Sequence, residues 1–565
     1  MRKPIGLALT ALSLTCHISA WAGQPADLIM TNGHIKTPTG WVEAVAIRDG
    51  IITKVGKSKT ISALAGADTK IIDLNGDTVL PGLHDSHVHV LFAGMEQFSC
   101  GLKPAASPEV IAATVKSCAA KKKTGEWLLG GNWVSAVFEP DQQNKIFLDA
   151  ITPNNPVILS DESHHSVWVN SMALDLAGIT RDTPNPLGGI IERDAAGNAT
   201  GLLRETATDL VERLVPPATN EAKRAALILS TGQMLAYGIT SFTDASLRTP
   251  NIGPLSELSK EGLIKQRVRG CIVWTPGTID GKSNGETLIE NRAHYAQPRF
   301  ATDCVKIFLD GVPTESHTGA MVEPYADSTK GDHNRPEKGI LMVPQDLLEK
   351  TVTFYDSQGL NIKFHAAGDG AVRAALDAVA VARKANGFGG PSHHVGHSTF
   401  VHQDDMSRAA DLQMTWEFSP YIWYPTPITK DIRKAVGDER MERWLPVREA
   451  IDTNVNVVVG SDWSVVPSVN PWLAMETLVT REKPGGSTET SGKRERISLE
   501  EALHIYTENA AKLMGHRDKV GSIEVGMYAD IIITATNPFK MPITDLHNMK
   551  VKMTFINGEK VYEAP

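Results

Sequence analysis

Two histidines at alternate positions close an apolar run near residue 80. His87 and His89 end the segment Leu80-Pro-Gly-Leu-His-Asp-Ser-His-Val-His. Residues i and i+2 of a β-strand face the same side, so both imidazoles would point at one spot, as metal ligands do. A lone His-x-His pair is equally compatible with a polar strand end. The pair therefore predicts a metal site only if other parts of the chain supply further ligands.

Four more residues of ligand type stand in or just after apolar runs. Lys306 lies within a strand-like run, where a cation is costly unless it is neutralised or modified. His365, His397 and Asp462 each end another such run. In α/β barrels, polar side chains at the C-terminal ends of the strands form the active site. Six residues of this kind, spread over several strands, predict a metal centre.

The elements that would position these residues alternate along the middle of the chain. Short apolar strands separated by helical segments are typical of an α/β fold, the (β/α)8 TIM barrel. The eight predicted strands are Gly82–His89, Gly238–Asp244, Arg267–Thr275, Cys304–Asp310, Asn361–His365, His393–His397, Met414–Ser419 and Val457–Asp462. The stretch from about 95 to 235 is too long for a simple crossover and is predicted to be an inserted subdomain.

The two ends of the chain look different from its middle. Residues 23–80 and 515–565 contain strand-like runs with Asn-Gly and Asp-Gly turns, which predict a small β-sandwich built from both termini around a barrel at 81–514. Residues 1–22 combine a positive start, a short apolar run and Ala20-Trp-Ala22, a pattern that predicts a cleaved signal peptide. We therefore expect a periplasmic or secreted protein. The disulfide status of Cys100 and Cys118 stays open.

Composition excludes several classes of partner. The chain has 565 residues, 21% of them charged, with a net charge of −9. This balance gives no electrostatic reason to bind nucleic acid or an anionic membrane. No segment after the signal peptide is long and apolar enough to span a membrane. The expected partner is a small molecule.

Several motifs together resemble a known family. They are the His-x-His run above, Trp168-Val-Asn-Ser-Met-Ala-Leu174, Gly201-Leu-Leu-Arg-Glu-Thr-Ala, Lys306-Ile-Phe-Leu-Asp-Gly, His365-Ala-Ala-Gly-Asp, Gly460-Ser-Asp-Trp, Thr507-Glu-Asn-Ala-Ala and Gly521-Ser-Ile-Glu-Val-Gly-Met-Tyr-Ala-Asp-Ile. Over nearly the whole mature chain the sequence resembles the amidohydrolase superfamily. Within it the likeness is to the YtcJ-like group, which includes N-substituted formamide deformylase.

The resemblance implies roles for the six residues. His87, His89 and Asp462 resemble the ligands of one buried metal, and His365 and His397 those of a second. Lys306 resembles the bridging ligand, after CO2 carboxylates its amine to a carbamate. Zn²⁺ is the expected metal, with Mn²⁺, Fe²⁺ or Co²⁺ as alternatives and one or two ions per chain.

The implied activity is hydrolysis of an amide-type carbon–nitrogen bond in a small amide or N-acyl substrate. A metal-bound hydroxide would attack the carbonyl carbon, and Asp462 would serve as general base and acid. Relatives of this fold are often dimers, which leaves a homodimer open.

Four further residues are weaker candidates. His165, Asp310 and Arg481 are candidate substrate or supporting contacts, with structural roles as the alternatives. Glu205 is an alternative bridging ligand or a pocket residue. The sequence also departs from the group where an Arg-His-x-x-Glu-His run reads Ser392-His-His-Val-Gly-His, which removes a glutamate at Gly396. That loss bears on substrate choice more than on metal binding.

Two other functions remain open from the sequence. One is a deaminase or a cyclic-amide hydrolase of the same superfamily. The deaminases typically carry a glutamate three residues after the fifth-strand histidine, where this chain has Gly368. The other is a secreted regulatory or binding protein without catalysis, which the full set of ligand-type residues argues against.

Overall fold

The computed structural model describes residues 24–103, 106–139, 142–276, 285–419, 421 and 423–565. The predicted signal peptide lies outside the described residues. Among the helices that are described, none is both long and apolar enough to cross a bilayer.

Eight parallel strands form the central sheet, and the barrel prediction is confirmed. In chain order, barrel strands 1 to 8 are Leu83–Val88, Ile239–Leu247, Arg267–Trp274, Phe300–Phe308, Asn361–Ala366, His394–His397, Thr415–Phe418 and Asn456–Val459. Each pairs with the next, and a bridge between Val88 and Trp463 brings the last strand back towards the first. Most of their residues are buried, because helices cover the outside of a parallel barrel.

Helices fill the connections between the strands. The α-helices are Ser58–Ser62, Val90–Glu96, Pro108–Ala119, Lys145–Ile151, Ser171–Leu176, Asp209–Glu212, Asn220–Ala236, Thr249–Lys260, Glu286–Glu290, Gln345–Ser357, Asp369–Asn386, Arg408–Asp411, Pro427–Val436, Asp438–Met441, Val447–Asp452, Pro471–Thr480, Leu499–His504 and Ala510–Leu513, the last two joined by a π-helical turn. The longest ends at Gly387, whose positive φ of 89° suits glycine at a helix C-terminus.

The inserted subdomain lies between barrel strands 1 and 2. Its six-stranded sheet has the order Gly189–Arg193, Ala199–Glu205, Ser166–Val169, Val157–Asp161, Leu128–Trp133 and Cys100–Gly101. Two apolar clusters pack on this sheet, one around Leu203 and one around Trp168. The insert therefore has a core of its own.

Strands from both ends of the chain build the β-rich part. One sheet has the order Ile51–Gly56, Ala44–Arg48, Ala26–Thr31 and Ala65–Asp73. The other has the order Glu559–Glu563, Val551–Ile556, Ile531–Thr534, Thr78–Pro81, His34–Thr37 and Gly40–Val42. Strand Thr78–Pro81 pairs antiparallel with Ile531–Thr534 and then runs almost directly into barrel strand 1. The β-rich part is thus continuous with the barrel strand that contains His87 and leads directly into His89.

Two disulfides link cysteines that are distant in sequence. Cys100 bonds to Cys118 within the insert, one of the two states that the sequence left open. Cys271 bonds to Cys304 across barrel strands 3 and 4, a pairing that the sequence did not predict.

Candidate metal centre

Three of the predicted ligands converge at the C-terminal end of the barrel. His87, His397 and Asp462 are all buried, and one ligand atom from each lies within 4.8 Å of the others. The Nε2 atoms of His87 and His397 are buried without a hydrogen-bond partner in the described part of the chain. Unpartnered buried imidazole nitrogens beside a carboxylate are the donor set that a divalent metal satisfies.

Two more histidines extend this group. His89 Nε2 lies 3.1 Å from Asp462 Oδ1, and the His365 ring centroid lies 4.2 Å from that of His397. Barrel strands 1, 5 and 6 therefore bring all four histidines to one place, beside Asp462 from the segment after strand 8. The arrangement fits a metal centre with ligands from several strands.

Lys306 lies in the barrel interior on strand 4, with 1% of its surface exposed. Its Nζ is 4.8 Å from the Phe308 ring centroid. Burial, reinforced by the positive charge of Lys363, lowers the pKa of Lys306 to about 7. The amine is therefore far easier to deprotonate than that of an exposed lysine.

The protonation states suit metal ligation. Burial is the main cause that holds the pKa of His87, His365 and His397 well below the usual imidazole value. Burial alone would raise the pKa of Asp462, but the hydrogen bond with His89 and the nearby basic side chains hold it well below its usual range. Neutral imidazoles and an ionised carboxylate are the forms that bind metals.

The backbone is strained where these side chains turn into the site. His397 and Asp462 adopt left-handed conformations, with φ of 71° and 57°, and so does Glu205, with φ of 51°. Such conformations cost a non-glycine residue on the order of 1 kcal/mol or more and concentrate at functional sites. The fold holds these three residues in place against that cost.

Asp310 and the pair formed by His165 and Glu205 surround His365. Asp310 Oδ1 lies 3.0 Å from His365 Nδ1, and Asp310 accepts backbone N–H bonds from Ala320, Ala367 and Gly368. Despite these donors, burial raises the pKa of Asp310 to about 8. Because Asp310 contacts Nδ1 of His365, the Nε2 atom of His365 is left for another partner.

His165 stands beside the same histidine, with ring centroids 4.8 Å apart. Its Nδ1 lies 2.7 Å from Glu205 Oε2. Burial alone would lower the pKa of His165, but the charge and hydrogen bond of Glu205 raise it to about 9. The raised pKa favours the cationic form of His165, which stands at the edge of the site.

Arg481 does not join this group. Its side chain is buried, and its guanidinium donates to the backbone carbonyls of Trp444, Leu445 and Glu495. These contacts favour the structural role that was the alternative for Arg481. The arginine instead ties together loops that follow barrel strands 7 and 8.

Two buried charged residues beside the histidines, Lys363 and Glu417, were not predicted from the sequence. The Oε1 atom of Glu417, on strand 7, lies 2.5 Å from the Nδ1 atom of His87. The other carboxylate oxygen of Glu417 pairs with Lys363 on strand 5. All three side chains are at most 1% exposed. Lys363 and Glu417, like Lys306, are charged residues inside apolar strands, and this feature of the sequence could have revealed them.

A pocket opens beside the metal centre. His165, His365, His397 and Asp462 border it on the barrel side. Its other walls are mainly apolar and include Val312, Pro313, Ile428, Ile432, Trp444 and Val466. A few convergent polar groups in an otherwise apolar pocket are typical of a small-molecule site.

Comparison with known proteins agrees with this geometry. The model of the amidohydrolase family matches residues 70–562.

The chain belongs to the amidohydrolase family.

Individual relatives cover almost its whole length. YtcJ of Bacillus subtilis is 28% identical over 92% of this chain and 96% of its own. N-substituted formamide deformylase of Arthrobacter pascens is 26% identical over 96% of this chain and 99% of its own. An uncharacterized metal-dependent hydrolase from Pyrococcus furiosus is 25% identical, with a TM-score of 0.68 over 91% of this chain and all of its own. Family and ligand cluster together identify this amidohydrolase as a metal-dependent hydrolase.

Proposed function

We propose that this amidohydrolase cleaves the carbon–nitrogen bond of a small N-acyl or N-formyl amine. The observation that carries the proposal is the convergence of His87, His397 and Asp462 beside a mainly apolar pocket. The name of the Arthrobacter pascens relative supports a formamide-type substrate. When bound, a divalent metal such as Zn²⁺ would polarise the carbonyl and acidify a water molecule.

The chain's own residues would divide the remaining tasks. His87, His89, His365, His397 and Asp462 would hold the metal, one ion or two. The Lys306 amine would add CO2 and lose a proton, and its carbamate would supply two further oxygen ligands. Asp462 would accept a proton from water and deliver it to the leaving nitrogen. His165 would donate a hydrogen bond to the carbonyl oxygen of the substrate, and the apolar walls would hold its amine side.

Gly368 favours amide hydrolysis over deamination. A Cβ added there would lie 2.0 Å from the backbone oxygen of Ala320. The position therefore has no room for the glutamate that the deaminases carry. The Gly368 N–H instead donates to Asp310, which supports His365.

Metal content and turnover test the proposal together. We expect one or two zinc ions per purified wild-type chain by mass spectrometry, and release of formate or carboxylate from N-substituted formamides or N-acyl amines. Lys306→Ala should lose most of the metal, and Glu205→Ala, the matched control, should keep it. If Lys306→Ala keeps its metal while Glu205→Ala loses it, the bridging ligand would be Glu205 rather than Lys306. A metal-free wild type, after incubation with zinc and bicarbonate, would contradict the proposed function.

We also propose that the protein works in the periplasm or outside the cell. The residue pattern at 1–22 supports this location. The two disulfides support it as well, because such bonds persist mainly in oxidising compartments. A fusion of residues 1–22 to a reporter enzyme that is active only after export would test it.

A further inference from the structure

Glu417 connects the metal centre to the opposite wall of the barrel. Its Oε1 lies 2.5 Å from His87 Nδ1, and its Oε2 pairs with Lys363 Nζ and lies 3.5 Å from His394 Nε2. Lys363 also donates to the backbone carbonyl of Ser86, at 3.0 Å, directly before His87. Strands 5 and 7 therefore hold both the backbone and the imidazole of strand 1 through this buried ion pair.

The missing side chain of Gly396 on strand 6 makes this contact possible. A Cβ added at Gly396 would lie 3.3 Å from Glu417 Oε1, 3.7 Å from His87 Cε1 and 2.8 Å from the Phe364 carbonyl oxygen. A side chain there would compete with Glu417 for the same space. The carboxylate therefore reaches His87 from strand 7 through the gap that strand 6 leaves.

The contact fixes which nitrogen of His87 can bind a metal. A carboxylate accepts a hydrogen bond, so Nδ1 carries the proton and Nε2 keeps its lone pair. That Nε2 is buried without a hydrogen-bond partner among the described residues and lies 3.5 Å from Asp462 Oδ1. The imidazole is thus oriented with its free nitrogen towards the other ligands.

We propose that Glu417, held in place by Lys363 and given room by Gly396, is the positioning residue that sets the tautomer and orientation of His87 for metal binding. The inference rests on the metal centre of the proposed function. It adds a residue that neither the ligand set nor the family comparison assigns. Carboxylates that support a metal-bound histidine typically strengthen metal binding by about 10- to 100-fold.

Zinc affinity and folding stability, measured separately, test the proposal. The probe is Zn²⁺ alone, in competition with a chromophoric chelator, and stability is the melting temperature of the metal-free protein. Glu417→Gln should weaken zinc binding by about 10- to 100-fold. It should also lower the melting temperature, because it leaves Lys363 buried without its counter-charge.

A double variant separates positioning from a purely structural role. Lys363→Met combined with Glu417→Gln removes both charges, so much of the lost stability should return. Zinc affinity should stay low, because His87 still lacks its charged acceptor. Recovery of zinc affinity together with stability would overturn the proposal. The double variant also allows zinc affinity to be measured if Glu417→Gln alone does not fold.

Glu476 provides the matched control. It is also fully buried and lies 2.7 Å from a histidine Nδ1, that of His547, but it belongs to helix Pro471–Thr480. Glu476→Gln should lower the melting temperature and leave zinc affinity unchanged. Equal loss of affinity in the Glu417 and Glu476 variants, or wild-type affinity in Glu417→Gln, would overturn the positioning role alone. Absence of zinc binding in the wild type would instead overturn the metal centre and the proposed function with it.

Discussion

A single substitution separates the two roles proposed for Asp462. Asp462 lies 3.1 Å from His89 Nε2 as part of the ligand group, and in the proposed reaction it also carries the proton. Asp462→Asn keeps an oxygen ligand but removes the base. We expect most of the metal to remain and turnover to fall by about 10²- to 10⁴-fold. Metal analysis beside initial rates checks this, and unchanged turnover would contradict the proton-transfer role.

At the residue scale, the candidate ligand residues were readable from the sequence, and the residues that support them were not. Several histidines that end apolar runs rarely serve packing alone. This pattern made four residues recognisable as candidates: His87, His89, His365 and His397. Glu417 was missed because its role depends on a neighbour 330 positions away in sequence. Gly396 looked like a lost glutamate, although the adjacent strand supplies a carboxylate to the same space. Such exchanges between strands are invisible until the strands are placed side by side.

At the element scale, strand 8 must approach strand 1 closely for the ligands to meet. A Cβ added at Gly460 would lie 2.3 Å from the Cβ of His87 and 2.4 Å from its backbone nitrogen. Gly460→Ala should therefore push the two strands apart. We expect it to lower the free energy of unfolding by about 1–3 kcal/mol and to weaken metal binding, since His87 moves with its strand.

Gly232→Ala is the matched control for this substitution. Gly232 lies on the exposed side of helix Asn220–Ala236, and an added Cβ there meets nothing within 4 Å. Alanine favours the helix, so stability should rise by up to about 1 kcal/mol with metal affinity unchanged. Chemical denaturation of both variants checks the pair. A Gly460→Ala protein as stable and as well metallated as the wild type would refute the close-approach argument.

The positions of the strands were largely predictable from the sequence, but which strands pair with one another was less predictable. Barrel strands are buried on both faces, so each appears as a short apolar run with a polar end, and all eight could be located. The insert was detectable by length alone, but the mixed order of its six strands was not, because pairing depends on contacts between distant segments. The same reason hid the bond between Cys271 and Cys304, whose strands are neighbours only in the folded barrel.

At the scale of the whole molecule, a buried ion pair joins the barrel to the C-terminal segment. Arg267 on barrel strand 3 donates to both oxygens of Asp530, at 3.0 and 3.2 Å, and its guanidinium lies 4.9 Å from the Tyr528 ring centroid. Asp530 is 1% exposed and Arg267 is 11% exposed. Asp530→Ala leaves the buried Arg267 cation without its counter-charge and should lower the free energy of unfolding by about 3–5 kcal/mol.

An exposed ion pair between the same two parts of the molecule serves as the control for the buried pair. Lys265 and Glu559 lie 3.3 Å apart with 36% and 58% of their side chains exposed. Glu559→Ala should change the free energy of unfolding by less than about 1 kcal/mol. Urea denaturation of both variants measures the difference. Equal effects would mean that the buried pair does not hold the barrel to the β-rich part.

The pairing of strand Thr78–Pro81 with Ile531–Thr534 also constrains how the molecule is made. The first strand leaves the ribosome about 450 residues ahead of its partner. At roughly 5–20 residues per second, that interval lasts roughly 20 to 90 seconds. Throughout this interval, one side of the strand has no hydrogen-bonding neighbour from the C-terminal end, and barrel strand 1, which contains His87, is continuous with this open edge. Translation must be nearly finished before the β-rich part can close, so until then this edge of the nascent chain is open to pairing with other strands.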